Sequence, residues 1–427
     1  MTAENATESV AAAVELAGRP RPGPVHLAVS SEVAMATPMD KPVAATRALG
    51  TAEDLPGAAT AMTALAARAA DLMASAHRPA VIVGLGVLDP GRAPAALRLV
   101  RALGAPVFAT PKAKGVVPED DPLFAGVLEG AGHEHVVGFL RGADLLLCLG
   151  VDSVEFARPW RLDAPIIHVD DFPGDGYYQP EIELVGDVPA ALAALEAAQE
   201  AQPSEASGRG WTPNEVADHR DGLHAYLRSE GNGLRSLDVV EALRAALPRS
   251  AIATVDVGAH KVLVGQAWRS FAPRTYFVAN GLSSMGYAVP VAAAIRLAQT
   301  ESREAPASIV ATSPVVASPV LAFVGDGGLS MYLGEMETLG RLGVDVLVVV
   351  FADESLELIR LSQVAAGLPE VGTTFTNPDW QALGRAFGIP VHELESVADV
   401  PSTVARAVGA RGVRLLVAHI ARGSYQL

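Results

Sequence analysis

The chain has 427 residues, half of them apolar and 19% charged, a composition that suits a globular protein of two or three domains and excludes a disordered one. Asp and Glu number 48 against 32 Lys and Arg, giving a formal net charge of −16. That balance excludes the broad basic face needed for general nucleic-acid binding. The single cysteine, Cys148, excludes an internal disulfide and a cysteine-based zinc site; within ADLLLCLGV it reads as a buried core thiol. No basic region followed by an apolar run opens the sequence, and no apolar run reaches the ~18 residues of a membrane span. The expectation is a soluble, cytoplasmic protein with no membrane partner.

In chain order, ESVAAAVELAG has an amphipathic helix pattern that ends at Gly18, and a Pro/Gly turn then leads into a short strand, Val25 to Val29. One helix and one strand cannot bury a core, so residues 1–40 read as the remnant of a further domain. From 53 to 198 helices and apolar strands alternate. PAVIVGLGV, APVFATP, GADLLLCLGVD and APIIHVDDF read as strands, and APAALRLVRALG as a helix. Such alternation predicts a parallel sheet covered on both faces. Residues 199–235 are polar and rich in Gly, Pro and Ser at their start, and read as a linker. From 236 to 427 the alternation resumes: the helix SLDVVEALRAALP, the strand SAIATVDVG, the helix GYAVPVAAAIRLA, and the strand VLAFVGDGG. The helix LSMYLGEMETLGRLG, the strand VDVLVVVFAD, a helix around Asp379 to Phe387, and the strand VRLLVAHI complete it. Residues 301–319 lack either period and read as a surface insertion. The fold class is therefore α/β, with two doubly wound parallel-sheet domains preceded by a remnant helix and strand.

Ligands of open parallel sheets bind at the carboxyl ends of the strands. Gly325-Asp326-Gly327-Gly328 lies at such an end. Its glycines permit close backbone approach and the following helix offers free N–H groups, which together can cradle a phosphate. Asp326 would repel a phosphate unless a divalent cation bridged them. Asp353 ends the next strand, so both carboxylates can meet at one sheet edge. The residues alone leave two readings: a tight turn, or a cation-and-phosphate cradle.

The GDGG run, the helix and strand after it and the acidic residue that follows resemble the thiamine-diphosphate signature of acetolactate-synthase-like enzymes. The resemblance implies that Asp326, Asp353 and the carbonyl of Ser355 bind Mg²⁺, with Gly325, Gly327 and Gly328 along the cofactor. The family usually carries asparagines where this chain has FADES. NGLSSMGYAVPVAAAI resembles the family's Gly-rich segment. It implies that Met285 wedges under the cofactor, while the Ser283 carbonyl and Met285 amide hold the aminopyrimidine; taken alone, Met285 reads as a plain core methionine before it reads as a wedge. The family usually has Gly at the Ser283 position. TVDVGAHKVLVGQAW resembles the loop that meets the diphosphate, implicating Gly258 and His260; a capping or surface role is the plain alternative for His260.

The middle region resembles the family's central domain, which binds FAD or another nucleotide in some members. Here G-x-G-x-x-G is incomplete, with Asp89 where the third glycine would stand, and FAD is not expected. GRPRPGPVHLAVSSEV resembles the end of the family's pyrimidine-binding domain. That domain carries the glutamate that activates the cofactor, and it has no counterpart in this sequence. The implied function is a thiamine-diphosphate-dependent 2-keto acid decarboxylase or carboligase. The implied partners are a 2-keto acid and a pyrimidine-binding-domain subunit or a second copy of the chain. No catalytic residue is assigned; Glu357 and Arg360, just past the metal turn, are candidates to face substrate, although Glu357 reads first as facing solvent or pairing locally. The alternatives are a non-catalytic regulatory or assembly subunit of the same fold, or a truncated inactive fragment.

Overall fold

The computed structural model describes residues 5–17, 25–30, 33, 58–152, 155–156, 162–174, 178–201, 210–228, 233–304 and 318–425. Six short apolar segments become the strands of a first sheet: β1 (Pro79–Val83), β2 (Val107–Ala109), β3 (Phe124–Val127), β4 (Leu145–Leu149), β5 (Ile166–Asp170) and β6 (Ile182–Val185). They lie in the order β3-β2-β1-β4-β5-β6, every pairing parallel. Five of the six are wholly buried or nearly so because helices cover both faces, which is why they read as unbroken apolar runs. Cys148 sits fully buried in β4, and burial drives its thiol pKa far up; it is the inert core thiol expected. The glycines of GLG serve packing. A Cβ on Gly84 would stand 2.2 Å from the Gly150 carbonyl oxygen, so the loop after β4 passes over it.

The second sheet holds β7 (Ile252–Val255), β8 (Tyr276–Val278), β9 (Val320–Gly325), β10 (Val346–Ala352), β11 (Val391–Leu394) and β12 (Arg414–His419). Its order is β11-β12-β10-β9-β7-β8, again all parallel. The two α/β units expected from the sequence are thus present. They meet along a packed seam. The Gln266 side chain accepts from the Val127 amide at 2.8 Å and donates to the Ala131 carbonyl at 3.0 Å. Lys114 and Glu119 form an ion pair at 2.7 Å, both side chains buried, beside the Tyr276 ring.

Several expectations need correction. Residues 25–30 form no strand, because no described segment pairs with them, and all but Val25 are exposed. The helix Ala6–Ala17 forms as expected but buries none of its residues. The 199–235 segment contains a helix, Pro213–Leu227, opened by a capping box between Thr212 and Glu215. It places Val216 and Leu223 in the core beneath the first sheet and Leu227 in the core of the second. The helix read through 329–343 is two, Asp326–Ser330 and Glu335–Leu342. Between them, i to i−3 bonds tighten the backbone and bring Tyr332 to Asp256. The helix Ala288–Glu304 runs into the start of the expected insertion; 305–317 lie outside the described residues.

Candidate functional site

Three strands of the second sheet end beside one another with an acidic residue just past or near the end: Asp256 after β7, Asp326 after β9, Asp353 after β10. Residue by residue, Phe351 of β10 lies level with Gly325 of β9. The next turns of chain therefore converge. Gly258, His260, Ser283, Met285, Gly325, Asp326, Gly327, Gly328, Asp353 and Ser355, every residue selected from the sequence, line one cavity of about 140 Å³.

The two carboxylates are held differently. Asp326 Oδ1 accepts from the Gly327 amide at 2.7 Å, and Oδ2 accepts from the Glu354 amide and Asn377 Nδ2, both at 2.8 Å. Asp353 Oδ1 accepts from the Ser355 amide at 3.0 Å. Both are buried, and burial pushes both pKa values up; the Asp326 charge adds to the effect on Asp353, which rises to about 7. Two neighbouring buried acids disfavour two negative charges. A divalent cation between them would reverse that penalty. Two carboxylates with the Ser355 carbonyl are hard oxygen donors, the set Mg²⁺ prefers, so the residues present fit the ion.

The wall opposite fits a phosphate-bearing group. Gly258 has φ of 152°, and a Cβ there would lie 2.7 Å from the His260 ring. A Cβ on Gly327 would meet Leu356 at 2.8 Å. These glycines keep the backbone bare where the chain is closest. His260 is buried; burial lowers its pKa to about 4, and its Nε2 has no partner among the described residues. A buried ring nitrogen without a partner calls for a group absent from the chain. Ser283 stands in the left-handed region, φ 49°, where the family usually has Gly. Met285 is 40% exposed and Leu282 wholly exposed, so a core role for Met285 does not hold.

Glu357 lines the same cavity but is occupied. Its carboxylate accepts from Arg360 Nη2 at 2.6 Å and Nε at 2.7 Å, and from Ser355 Oγ at 3.0 Å. Burial alone would raise its pKa, yet these bonds leave it lowered. Arg360 does not line the cavity and serves as its counterion.

Three neighbours escaped the sequence reading. Asn377 reaches Asp326 from a loop. Asp256 accepts from the Gly286 and Tyr287 amides at 3.0 and 3.2 Å and from Tyr332 Oη at 2.6 Å, fixing the turn after Met285. Tyr425 closes the cavity from the chain's last described residues. Asp256 had a signal, being an acid at a strand's carboxyl end like the other two.

Comparison with known proteins gives the family. The model described as the thiamine pyrophosphate enzyme central domain matches residues 66–195, and that described as the C-terminal TPP binding domain matches residues 256–418. The chain belongs to the thiamine pyrophosphate enzyme family. Among its relatives is the probable 2-ketoarginine decarboxylase of Pseudomonas aeruginosa, 28% identical over 427 residues, covering 97% of this chain and 70% of that protein. The acetolactate synthase isozyme 1 large subunit of Escherichia coli is 28% identical over 357 residues, covering 82% of this chain and 59% of that one. The chain therefore spans less than two thirds of the length of that large subunit. The solved structure of a thiamin diphosphate-dependent enzyme from Mycobacterium smegmatis shares the fold, with a TM-score of 0.70 at 21% identity. That match covers 98% of this chain and 74% of the other. Among the described residues no helix is long and apolar enough to cross a membrane.

Proposed function

We propose that the chain binds thiamine diphosphate through Mg²⁺ and takes part in decarboxylation or carboligation of a 2-keto acid. The observation that carries this reading is the convergence of two buried carboxylates, a bare glycine wall and an unpartnered histidine on one cavity. Asp326, Asp353 and the Ser355 carbonyl hold the cation. Gly258, His260, Gly325, Gly327 and Gly328 lie along the diphosphate. Ser283 and Met285 meet the pyrimidine end. Bound thiamine diphosphate supplies an acceptor for the electron pair freed when the carboxylate leaves.

The chain's own residues bind and orient. The amides of Gly327 and Glu354 and the Asn377 side chain aim the Asp326 carboxylate, and the Ser355 amide aims that of Asp353. Asp256 holds the Met285–Gly286 turn against the cavity. Around the pyrimidine end the surface is apolar and open, with Leu282 and Met285 exposed. A pyrimidine-binding domain, on a separate subunit or on a second copy of the chain, is the partner that surface suits, because an exposed apolar patch beside a site marks an interaction face.

Calorimetric titration of thiamine diphosphate with and without Mg²⁺ tests the reading. The expected result is at least about tenfold tighter binding with the cation. Equal affinity in the presence of a chelator removes the cation, and no binding under either condition removes the cofactor.

A further inference from the structure

A second cavity, of about 480 Å³, lies on the seam between the two α/β units, away from the first. One wall comes from β3 and the helix Pro213–Leu227, the other from the helices Ser236–Ala246 and Ala259–Ala267. Gln266 and Ala267 at the end of that last helix line this cavity, whereas Gly258 and His260 at its start line the first. Phe124, Leu223, Leu227 and Leu237, all buried, give it an apolar floor.

Its charges are unequal. Three guanidinium groups line it: Arg220, Arg244 and Arg269. Of the three acids that also line it, two are already matched. Glu119 is paired with Lys114 at 2.7 Å; Glu241 is held by His224 at 2.5 Å and by Arg228 at 3.1 Å. Asp221 is the remaining acid, and it is exposed.

Arg244 is the telling residue. Only 6% of it is exposed. Its guanidinium lies over the Trp268 ring, 4.6 Å from the centroid, and beside Phe271 at 5.2 Å. Nη2 donates to the carbonyls of Leu247, at 3.0 Å, and Pro248. Nη1 is buried and has no partner among the described residues. Burial and the like charges of Arg269 and Arg249 push its pKa down to about 10, so it remains charged at neutral pH. A buried charged donor left without an acceptor is costly, and such a group in a native fold calls for one.

We propose that this seam cavity binds a small oxyanion carried on an apolar body, the carboxylate or phosphate accepting from Arg244 Nη1 beside Arg269 and the body resting on Phe124, Leu223 and Leu237. The charged head answers the unpartnered Nη1 donor; the apolar floor excludes a bare, fully hydrated ion as the whole ligand. The site is independent of thiamine diphosphate, so its test and the cofactor's test fail separately.

Benzoate, benzamide and inorganic phosphate are each titrated into the full chain while heat and tryptophan emission are recorded, Trp268 being the reporter beneath Arg244. The expected result is saturable one-site binding of benzoate, with benzamide at least about tenfold weaker. Benzoate should also bind at least about tenfold more weakly to Arg244→Gln and to Arg269→Ala. Inorganic phosphate, which has no apolar body, should bind at least about tenfold more weakly than benzoate; phosphate binding as tightly as benzoate overturns the role given to the apolar floor. Because Arg244 is buried, a variant there can fail to fold, in which case Arg269→Ala and Arg220→Ala decide, both being changes of side chains outside the core. Benzamide matching benzoate, benzoate affinity unchanged in the arginine variants, or no saturable binding of either anion up to about 10 mM overturns the proposal and leaves the cavity to water.

Discussion

Asn377 Nδ2 donates to Asp326 Oδ2 at 2.8 Å across 51 residues of chain. The amide thereby fixes one of the two carboxylates assigned to the cation, while its own Oδ1 is buried and unpartnered among the described residues. A hydrogen bond to a charged group contributes about 1.5–3 kcal/mol. Asn377→Ala should therefore weaken Mg²⁺-dependent binding of thiamine diphosphate by about tenfold or more. Asp326→Ala should abolish it, together with the cofactor-induced rise in thermal stability. Calorimetry and thermal unfolding measure both, and undiminished binding in Asp326→Ala would sink the metal assignment.

That pair marks the limit of what the sequence displays. Asp326 and Asp353 were legible because each ends a strand, and neighbouring parallel strands bring their carboxyl ends together. Asn377 belongs to a loop whose path depends on tertiary packing, including the isolated bridge between Ser355 and Thr374, and no local pattern announces it. The helix Pro213–Leu227 was hidden differently. Its polar face resembles a linker, yet Thr212 and Glu215 spell out a capping box that deserved more weight than composition. Val25 to Val29 failed for the opposite reason. Apolar, partly β-branched residues favour a strand, but a strand exists only through its partner. β3 and β6, four residues each, were too short for periodicity to register.

Gly258 and Gly340 should respond to alanine in opposite senses. At Gly258, φ is 152° and the new Cβ would meet the His260 ring at 2.7 Å. Gly258→Ala should cost about 1–3 kcal/mol from backbone strain and displacement of the ring. Gly340 lies inside the helix Glu335–Leu342 with open space around it. Gly340→Ala should stabilise by about 0.5–1 kcal/mol through helix propensity and a less flexible unfolded chain. Urea unfolding of the two variants decides. Equal effects would show that the Gly258 loop relaxes freely and that its closeness to His260 is not a constraint.

Met285 gives a separable prediction, because it is 40% exposed. Truncating a buried methionine typically costs about 2–5 kcal/mol. Met285→Ala should cost about 1 kcal/mol or less, as surface changes do. Metal and diphosphate affinity should stay within about tenfold, since the proposed anchors of that end are Asp326, Asp353 and the glycine wall. The change should appear instead in ylid formation, read by proton exchange at the cofactor. A large loss of stability would return Met285 to a packing role.

His219 supplies a pH dependence that involves neither cavity ligand. Its Nε2 meets the Ala125 carbonyl at 2.8 Å, and its ring stacks on Phe139 at 4.2 Å and His135 at 5.3 Å. Burial lowers its pKa from 6.5 to about 4. The unfolded chain therefore takes up the proton first as pH falls. The stability held by the neutral ring is intact above 6.5 and drains away as pH drops from 6.5 toward 4, by up to about 1.4 kcal/mol per pH unit. Glu155 works in the other direction. Burial raises its pKa to about 7, so the folded chain binds that proton first and loses stability as pH rises through the range below 7. Comparing the parent chain with His219→Phe cancels the Glu155 contribution, which both share. Loss of the bond to Ala125 shifts the variant's stability by a constant and leaves its slope alone. Denaturant unfolding at half-unit steps between pH 7 and pH 5 should show the parent's stability falling relative to the variant's as pH drops, the difference in slope approaching one proton. Parallel lines would mean that His219 titrates as it does in the unfolded chain, and that the ring stack beneath β3 does not shield it.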